Sequence, residues 1–263
     1  MSHSEIVELD RSFARAWEHW ARRSRAGEAL RLPGLAIHWM NVTWPLCNLT
    51  FLDSPVTDES DLAARAGAAL AFARDRGRGW LLFLCPELLP PDLRGSFQDV
   101  LAQQGLVARG SVTGMAADRL LPPRRPLPEL EFRSVGSAET LRAFSEINAL
   151  AYKIPPDWGM EALGVAALWS EETFGVVGYH QGEPVTTAKT IVMDDVLYMA
   201  LVATRPEQQK KGFAEAAMRH SLGLAFAATG LERTVLHASK AGLPLYQEMG
   251  YHPVAMFQGF ASS

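Results

Sequence analysis

The sequence predicts a mixed α+β fold, and three observations carry that prediction. Residues 173–204 read as three consecutive strands, followed by a helix, a strand, a short helix and a last strand. A reduced version of that order runs through the first 118 residues. Between the two lies 119–129, RLLPPRRPLPE, with four prolines in eleven residues. Each proline removes a backbone donor and restrains the residue before it, so neither helix nor central strand runs through this segment. Antiparallel strands followed by strand–helix–strand units make a mixed sheet with helices on it.

In chain order, 34–39 and 46–52 resemble a strand pair, 58–76 a helix, 80–85 a strand, 91–104 a helix and 106–117 a strand. Past the prolines, 130–135 is a short strand. The helix 137–152 starts at Ser137, an N-cap type, with Thr140 at the third position. Leu141, Phe144, Ile147, Asn148 and Ala151 keep helical spacing along it. A second helix is expected over 157–168. Strands 173–180, 185–193 and 196–204 are separated by turn signals at Gln181–Pro184 and Asp194-Asp195. Residues 212–228 form a helix with Ala214, Ala217, Met218, Ser221, Leu222 and Ala225 on one stripe. Strand 233–239, helix 242–249 and strand 251–260 complete the chain. The expected domains are therefore 1–118, a linker 119–129, and 130–263.

The two halves also share residues. Segment 69–85 aligns without a gap on 223–239, an offset of 154, with Leu-Ala-Phe-Ala common to both. Gln104-Gly105 before a strand echoes Met249-Gly250. This order and spacing point to an internal duplication.

Composition excludes several classes. The 263 residues carry a net charge of -4, which attracts neither nucleic acid nor an anionic membrane. The first residues lack a basic stretch followed by an apolar one, and no apolar run approaches the roughly 20 residues that span a bilayer. A soluble, cytoplasmic protein is expected. Cys47 and Cys85 lie in apolar runs and read as buried thiols. The seven histidines are scattered without ligand spacing, so no metal is expected.

The chemistry-bearing segment follows the strand 196–204. Arg205-Pro206-Glu207-Gln208 leads into Gln209-Lys210-Lys211-Gly212-Phe213-Ala214 and directly into a helix. Small residues at a helix mouth expose unpaired N–H groups, and the helix dipole adds partial positive charge there, which together cradle an anion. Gly212 allows close backbone approach, Ala214 keeps the first turn uncluttered, and Lys210 and Lys211 add charge. Taken alone, Q-x-x-G-x-A also describes a solvated basic loop. In context, V-A-T-R-P-E-Q-Q-K-K-G-F-A resembles the strand end and [Q/R]-x-x-G-x-[G/A] motif of the Gcn5-related N-acetyltransferase (GNAT) family. Gln209 stands for its more frequent Arg and Ala214 for its second Gly; Gln208 replaces an aromatic or aliphatic residue. Downstream, Leu236 through Tyr251 looks like the family's strand followed by "LYxxxGF".

That resemblance implies a pyrophosphate of acetyl-coenzyme A on Gln209–Ala214 and pantetheine along Leu201, Val202, Ala203 and Thr204, added like a strand. Ser239 would meet the pantetheine or cap the next helix. Tyr246 would be the general acid that protonates the departing thiolate; a packing tyrosine is the alternative. Glu146, Tyr198 and His237 are the candidates for a base, with Glu146 preferred. Tyr152, Trp158, Trp169 and Tyr198 would line the acceptor pocket, though aromatics there also serve as core. The acceptor would be a primary amine on a small molecule or peptide, attacking directly in a ternary complex. A silent acyl-CoA-binding module and transfer of a longer acyl group are the alternatives, and a homodimer is left open.

The same offset places the cradle on Pro55–Ser60, a loop expected to have equal length. There Gly212 becomes Asp58, which reads instead as an N-cap, and Pro55 lacks an N–H. Leu101 takes the place of Tyr246. The first half is thus expected to keep a scaffold without a cofactor site and to wall the acceptor cleft.

Overall fold

The computed structural model describes residues 2–170 and 172–262, and the chain forms two compact units. One comprises Met1–Gly114, Ala238–Lys240 and Pro253–Ser263; the other comprises Met115–His237 and Ala241–His252. This cut differs from the division at the prolines, which assigned everything after 130 to one domain. The last strand groups with the first unit because it pairs there, Gln258 with Leu84, Gly259 with Phe83 and Phe260 with Leu82.

The first unit opens with an element the sequence reading passed over, α1 (His3–Arg23). Its buried face, Ile6, Leu9, Phe13, Ala16, Trp17 and Trp20, follows the i, i+3, i+4 spacing of an amphipathic helix. Next come β1 (Glu28–Leu32), also unpredicted, β2 (Leu35–Trp39), β3 (Asn48–Leu52), α2 (Glu59–Arg76), β4 (Leu81–Leu84), α3 (Phe97–Gln103) and β5 (Leu106–Ala117), whose residues from Met115 on are grouped with the second unit. A 3-10 turn at Pro45–Cys47 shortens the strand expected from 46. The helix expected from 91 begins only at Phe97, after a run of turns that Pro90, Pro91 and Gly95 favour.

Alternation along the strands splits the core between two faces. Leu35, Ile37, Trp39, Leu82 and Leu84 join one cluster with Leu62, Ala66 and Ala69 of α2 and Phe97 and Leu101 of α3. On the other face Phe13 of α1 meets Phe51, Phe83 and Phe257 edge-on, with ring centroids 5.1, 5.1 and 5.9 Å away.

The second unit holds β6 (Glu131–Ser134), α4 (Ala138–Tyr152), α5 (Pro156–Leu163), β7 (Thr173–His180), β8 (Glu183–Met193), β9 (Val196–Thr204), α6 (Phe213–Thr229), β10 (Thr234–Ala238) and α7 (Leu243–Glu248); β11 is His252–Ser262. Its strand order is β10-β9-β8-β7-β6, antiparallel except for the parallel β9–β10 pair. The mixed α+β architecture is therefore as predicted. Ser137 and Thr140 form a reciprocal capping box on α4. α5 stops at Gly164, earlier than the expected 168, and a 3-10 turn takes up Ala166–Leu168. α4 and α5 approach closely at Gly159, where a Cβ would lie 2.8 Å from the Ser145 carbonyl oxygen.

Candidate active site

The site begins with an irregularity in β9. β8 and β9 pair regularly from Met193–Val196 to Lys189–Ala200, and again at Thr187–Ala203. Two residues of β9, Leu201 and Val202, therefore oppose Ala188 alone, which is a β-bulge. Leu201 is buried with φ +50°, a left-handed conformation that costs a branched residue roughly 1–2 kcal/mol.

Side chains from two neighbouring elements hold it there. Thr187 Oγ1 donates to the Leu201 carbonyl at 3.1 Å, and Thr186 Oγ1 donates to the Ala203 carbonyl at 2.9 Å. Asn148 of α4 donates through Nδ2 to Thr187 Oγ1 at 3.1 Å and to the Phe144 carbonyl at 2.9 Å. Asn148, Thr186 and Thr187 are fully buried. The signal lay in the sequence: Asn148 is a polar residue on an apolar helical stripe, and such a group needs a partner.

The bulge coincides with the end of a ladder. β10 pairs with β9 only at Thr234–Leu197, Val235–Tyr198 and Leu236–Met199. From Ala200 to Thr204, among the described residues, no strand of the second unit pairs on that side, leaving an open edge of the kind that accepts an extended, amide-bearing ligand. Leu201, Val202, Ala203 and Thr204, named from the sequence, are this edge.

The edge leads straight to the loop 205–212. Arg205 anchors its start, its N–H donating to Val185 O at 2.9 Å and its Nε to Pro184 O at 2.7 Å. Lys210 and Gly212 take left-handed φ of +63° and +82°. Gly212 is the N-cap of α6 and no side chain caps the helix, so the first-turn amides are left for a ligand. A Cβ on Gly212 would sit 3.3 Å from Pro128 Cδ and at an unfavourable φ. Lys210 and Lys211 are exposed, Gln209 is exposed, Phe213 is buried and Ala214 is half-buried.

The matching loop of the first unit has the opposite polarity. Asp58 caps α2 by accepting from Asp61 N, as predicted. Carbonyls of Gly34, Ser54 and Pro55 accept from the buried Arg65 guanidinium at 3.2, 2.7 and 2.9 Å, with Asp61 completing its shell. An internal cation thus sits where acceptors converge. The expected equality of loop length fails: β3 and α2 are joined by 53–58, β9 and α6 by 205–212. Register explains more. Leu81 and Val235, 154 positions apart, pair with Leu49 and Tyr198, which are 149 apart. Of the five extra positions, three lengthen the end of β9 and two lengthen the loop, so the open edge is longer than anything the first unit has.

Four tyrosines of the second unit act on one another, with the rings of Tyr246 and Tyr251 6.0 Å apart. Tyr246 on α7 is half-buried, and burial, with Tyr152 and Tyr251 nearby, pushes its phenol pKa up. Tyr198 is fully buried and also raised, by burial and by Tyr152. Its hydroxyl lies 3.1 Å from His237 Nδ1, and burial lowers His237 to about 3, so the imidazole is neutral. Tyr152 is exposed at the end of α4 and Trp158 is half-buried on α5. Glu146 is half-buried, its carboxylate 4.0 Å from the Arg205 guanidinium at the mouth of the loop. Trp169 is half-buried and held on three sides: its ring fills the space of the missing Gly175 side chain, meets Phe144 edge-on at 4.7 Å, and lies under the buried Lys189 ammonium at 4.4 Å. Ser239 follows β10 in the segment grouped with the first unit, and the N-cap of α7 is Gly242 rather than Ser239.

Residues 141–251 match the acetyltransferase (GNAT) family. They form a GNAT domain. The fold of the whole chain is similar to a GCN5-related N-acetyltransferase from Kribbella flavida, with 21% identity over 95% of this chain and 94% of that one and a TM-score of 0.69. A GCN5-related N-acetyltransferase from Sphaerobacter thermophilus has 16% identity over 89% and 76%, with a TM-score of 0.58. The GCN5-related N-acetyltransferase-like protein from Streptococcus suis 89/1591 has 15% identity over 98% and 99%, with a TM-score of 0.56. No match was found among curated proteins. GNAT family and fold support acyl transfer. Among the described residues no group of three His, Cys, Asp or Glu could hold a metal, and no helix is long and apolar enough to cross a membrane.

Proposed function

We propose that the GNAT domain is an N-acetyltransferase that takes acetyl-CoA and a primary amine into one ternary complex. The observation that carries this reading is the continuity of the open β9 edge with the uncapped mouth of α6. An extended amide-bearing arm joined to a pyrophosphate fits that pair of features, and a compact anion would use only the second. Leu201–Thr204 would hold the arm, and Gln209, Lys210, Lys211, Gly212, Phe213 and Ala214 the pyrophosphate. Acetyl-CoA supplies an acyl group activated as a thioester.

The chain supplies proton placement. Tyr246 has a raised pKa and keeps its proton at neutral pH, ready for a leaving thiolate. Glu146 would draw a proton from an incoming ammonium, directly or through water. Neutral His237 is a weaker base, since burial has lowered its pKa to about 3. Tyr152 and Trp158 stand on the elements before β7 and would contact the acceptor, together with Tyr198 of β9. The first unit is read as a degenerate copy, its cradle closed by Arg65 and its strand edge shorter.

Thiol release from acetyl-CoA across a panel of amines tests the reaction, with Tyr246→Phe as the control. Turnover on at least one amine, lost in the variant, supports it. Thermal stabilisation by CoA with no turnover on any amine points to a silent binding module, and copurified CoA carrying a longer chain points to another acyl group.

A further inference from the structure

Packing on two sides fixes the ring of Tyr246. The Tyr246 N–H donates to the Gly242 carbonyl at 3.2 Å, closing the first turn of α7. A helical side chain leans toward the N-terminus, over the residue four positions earlier. That lean lays the ring directly on Gly242. A Cβ at Gly242 would lie 2.7 Å from Tyr246 Cε2, and 3.1 Å from both Cζ and the hydroxyl oxygen. Carbon atoms pack at about 3.5–4.0 Å, so the ring and a methyl group cannot share this space.

The backbone at Gly242 does not itself demand glycine. Its φ of -82° and ψ of -22° lie in the right-handed helical region, open to any residue. What demands it is the ring. On the other side stands Tyr251, whose N–H donates to the Tyr246 carbonyl at 2.9 Å. The two rings meet edge-on with centroids 6.0 Å apart. Tyr251 is tied down in turn, its hydroxyl hydrogen-bonded to that of Thr234 on β10 at 2.9 Å, with both residues buried. The phenol of Tyr246 is thus wedged between a bare Cα and an anchored ring.

We propose that Gly242 is a positioning residue for acyl transfer, its bare Cα setting where the Tyr246 hydroxyl stands. This rests on the reading of Tyr246 as the general acid. A methyl group at 242 must push the ring away by about 1 Å to restore ordinary contact, and a misplacement of that size can lower a rate by about 10²-fold. The strand edge of β9 takes no part in the contact, so cofactor affinity is spared.

Kinetics of Gly242→Ala in two backgrounds test this. In the otherwise wild-type chain, kcat is expected to fall about 10- to 100-fold while the Michaelis constant for acetyl-CoA changes less than about threefold. In Tyr246→Phe the same substitution should lower the residual rate less than about twofold, because no hydroxyl remains to be misplaced. A general loosening of the fold would instead lower both rates alike. The chain has five tyrosines, so fluorine NMR of protein labelled with 3-fluorotyrosine reads the contact without turnover. The Tyr246 resonance, assigned by its loss in Tyr246→Phe, should move in Gly242→Ala, and that of Tyr179 on β7 should not. An unmoved Tyr246 resonance, a wild-type kcat in Gly242→Ala, or equal losses in the two backgrounds would overturn the proposal and leave the acid assignment standing. A wild-type rate in Tyr246→Phe would remove the acid assignment, and this inference with it.

Discussion

Tyr246 and His237 show how burial assigns proton states in the second unit. A phenol with a raised pKa stays protonated beyond its ordinary range near 10, so it can act as an acid across all working pH values. Tyr246→Phe should therefore lower the acyl-transfer rate by about 10²-fold or more, and the wild-type rate should show no alkaline fall attributable to this group below about pH 10. A pH–rate profile of both proteins checks this; equal rates would remove Tyr246 as the acid. His237 behaves oppositely. Its folded-state pKa of about 3 lies below the ordinary 6.5, so below pH 6.5 the unfolded chain binds a proton that the folded chain does not. Stability conferred by the neutral ring is complete above about 6.5 and is lost as pH falls toward 3, at up to roughly 1.4 kcal/mol per pH unit. His38, lowered to about 4 by burial, adds a slope of the same sign. Urea midpoints at pH 7 and pH 5 should converge in His237→Gln relative to wild type, leaving the His38 contribution. An unchanged difference would contradict the assignment.

At the scale of elements, the capping box of Ser137 and Thr140, the cap of Asp58 and the left-handed Gly212 were legible because each depends on residues within a few positions. The bulge was not. It arises from the register between β8 and β9 and is held by Asn148 and Thr187, 53 and 14 positions before Leu201, and no local pattern carries such a constraint. Thr187→Val keeps the shape and removes the hydroxyl, leaving the Leu201 carbonyl and the Asn148 amide without it. We expect the Michaelis constant for acetyl-CoA to rise about three- to tenfold with thermal stability also reduced, and Thr187→Ser to restore both. Loss of stability with an unchanged Michaelis constant would show that the relay supports the fold alone. Trp169 illustrates the other difficulty: an aromatic in a pocket-forming segment and one that fills the gap over Gly175 look alike until the sheet is built.

Over the whole molecule, hydrophobic patterning gave the order of the second unit's strands and helices but not the destination of the last strand. β11 follows α7 in sequence and pairs with β4, a long-range choice that groups it with the first unit. α1 escaped for another reason: its stripe of Ile6, Leu9, Phe13, Trp17 and Trp20 is regular, but only comparison with the rings of Phe51 and Phe83 shows what it covers. The asymmetry between the units has a physical basis in both cradle loops. One presents amides to solvent at the mouth of α6; the other turns carbonyls onto Arg65. The proposed function gives such a chain one acyl-CoA site. Calorimetric titration with acetyl-CoA should therefore give one site per chain, and Gly212→Asp, which copies Asp58, should weaken it by about 10²-fold, roughly 2.8 kcal/mol. Two equivalent sites, or undiminished affinity in Gly212→Asp, would contradict the account.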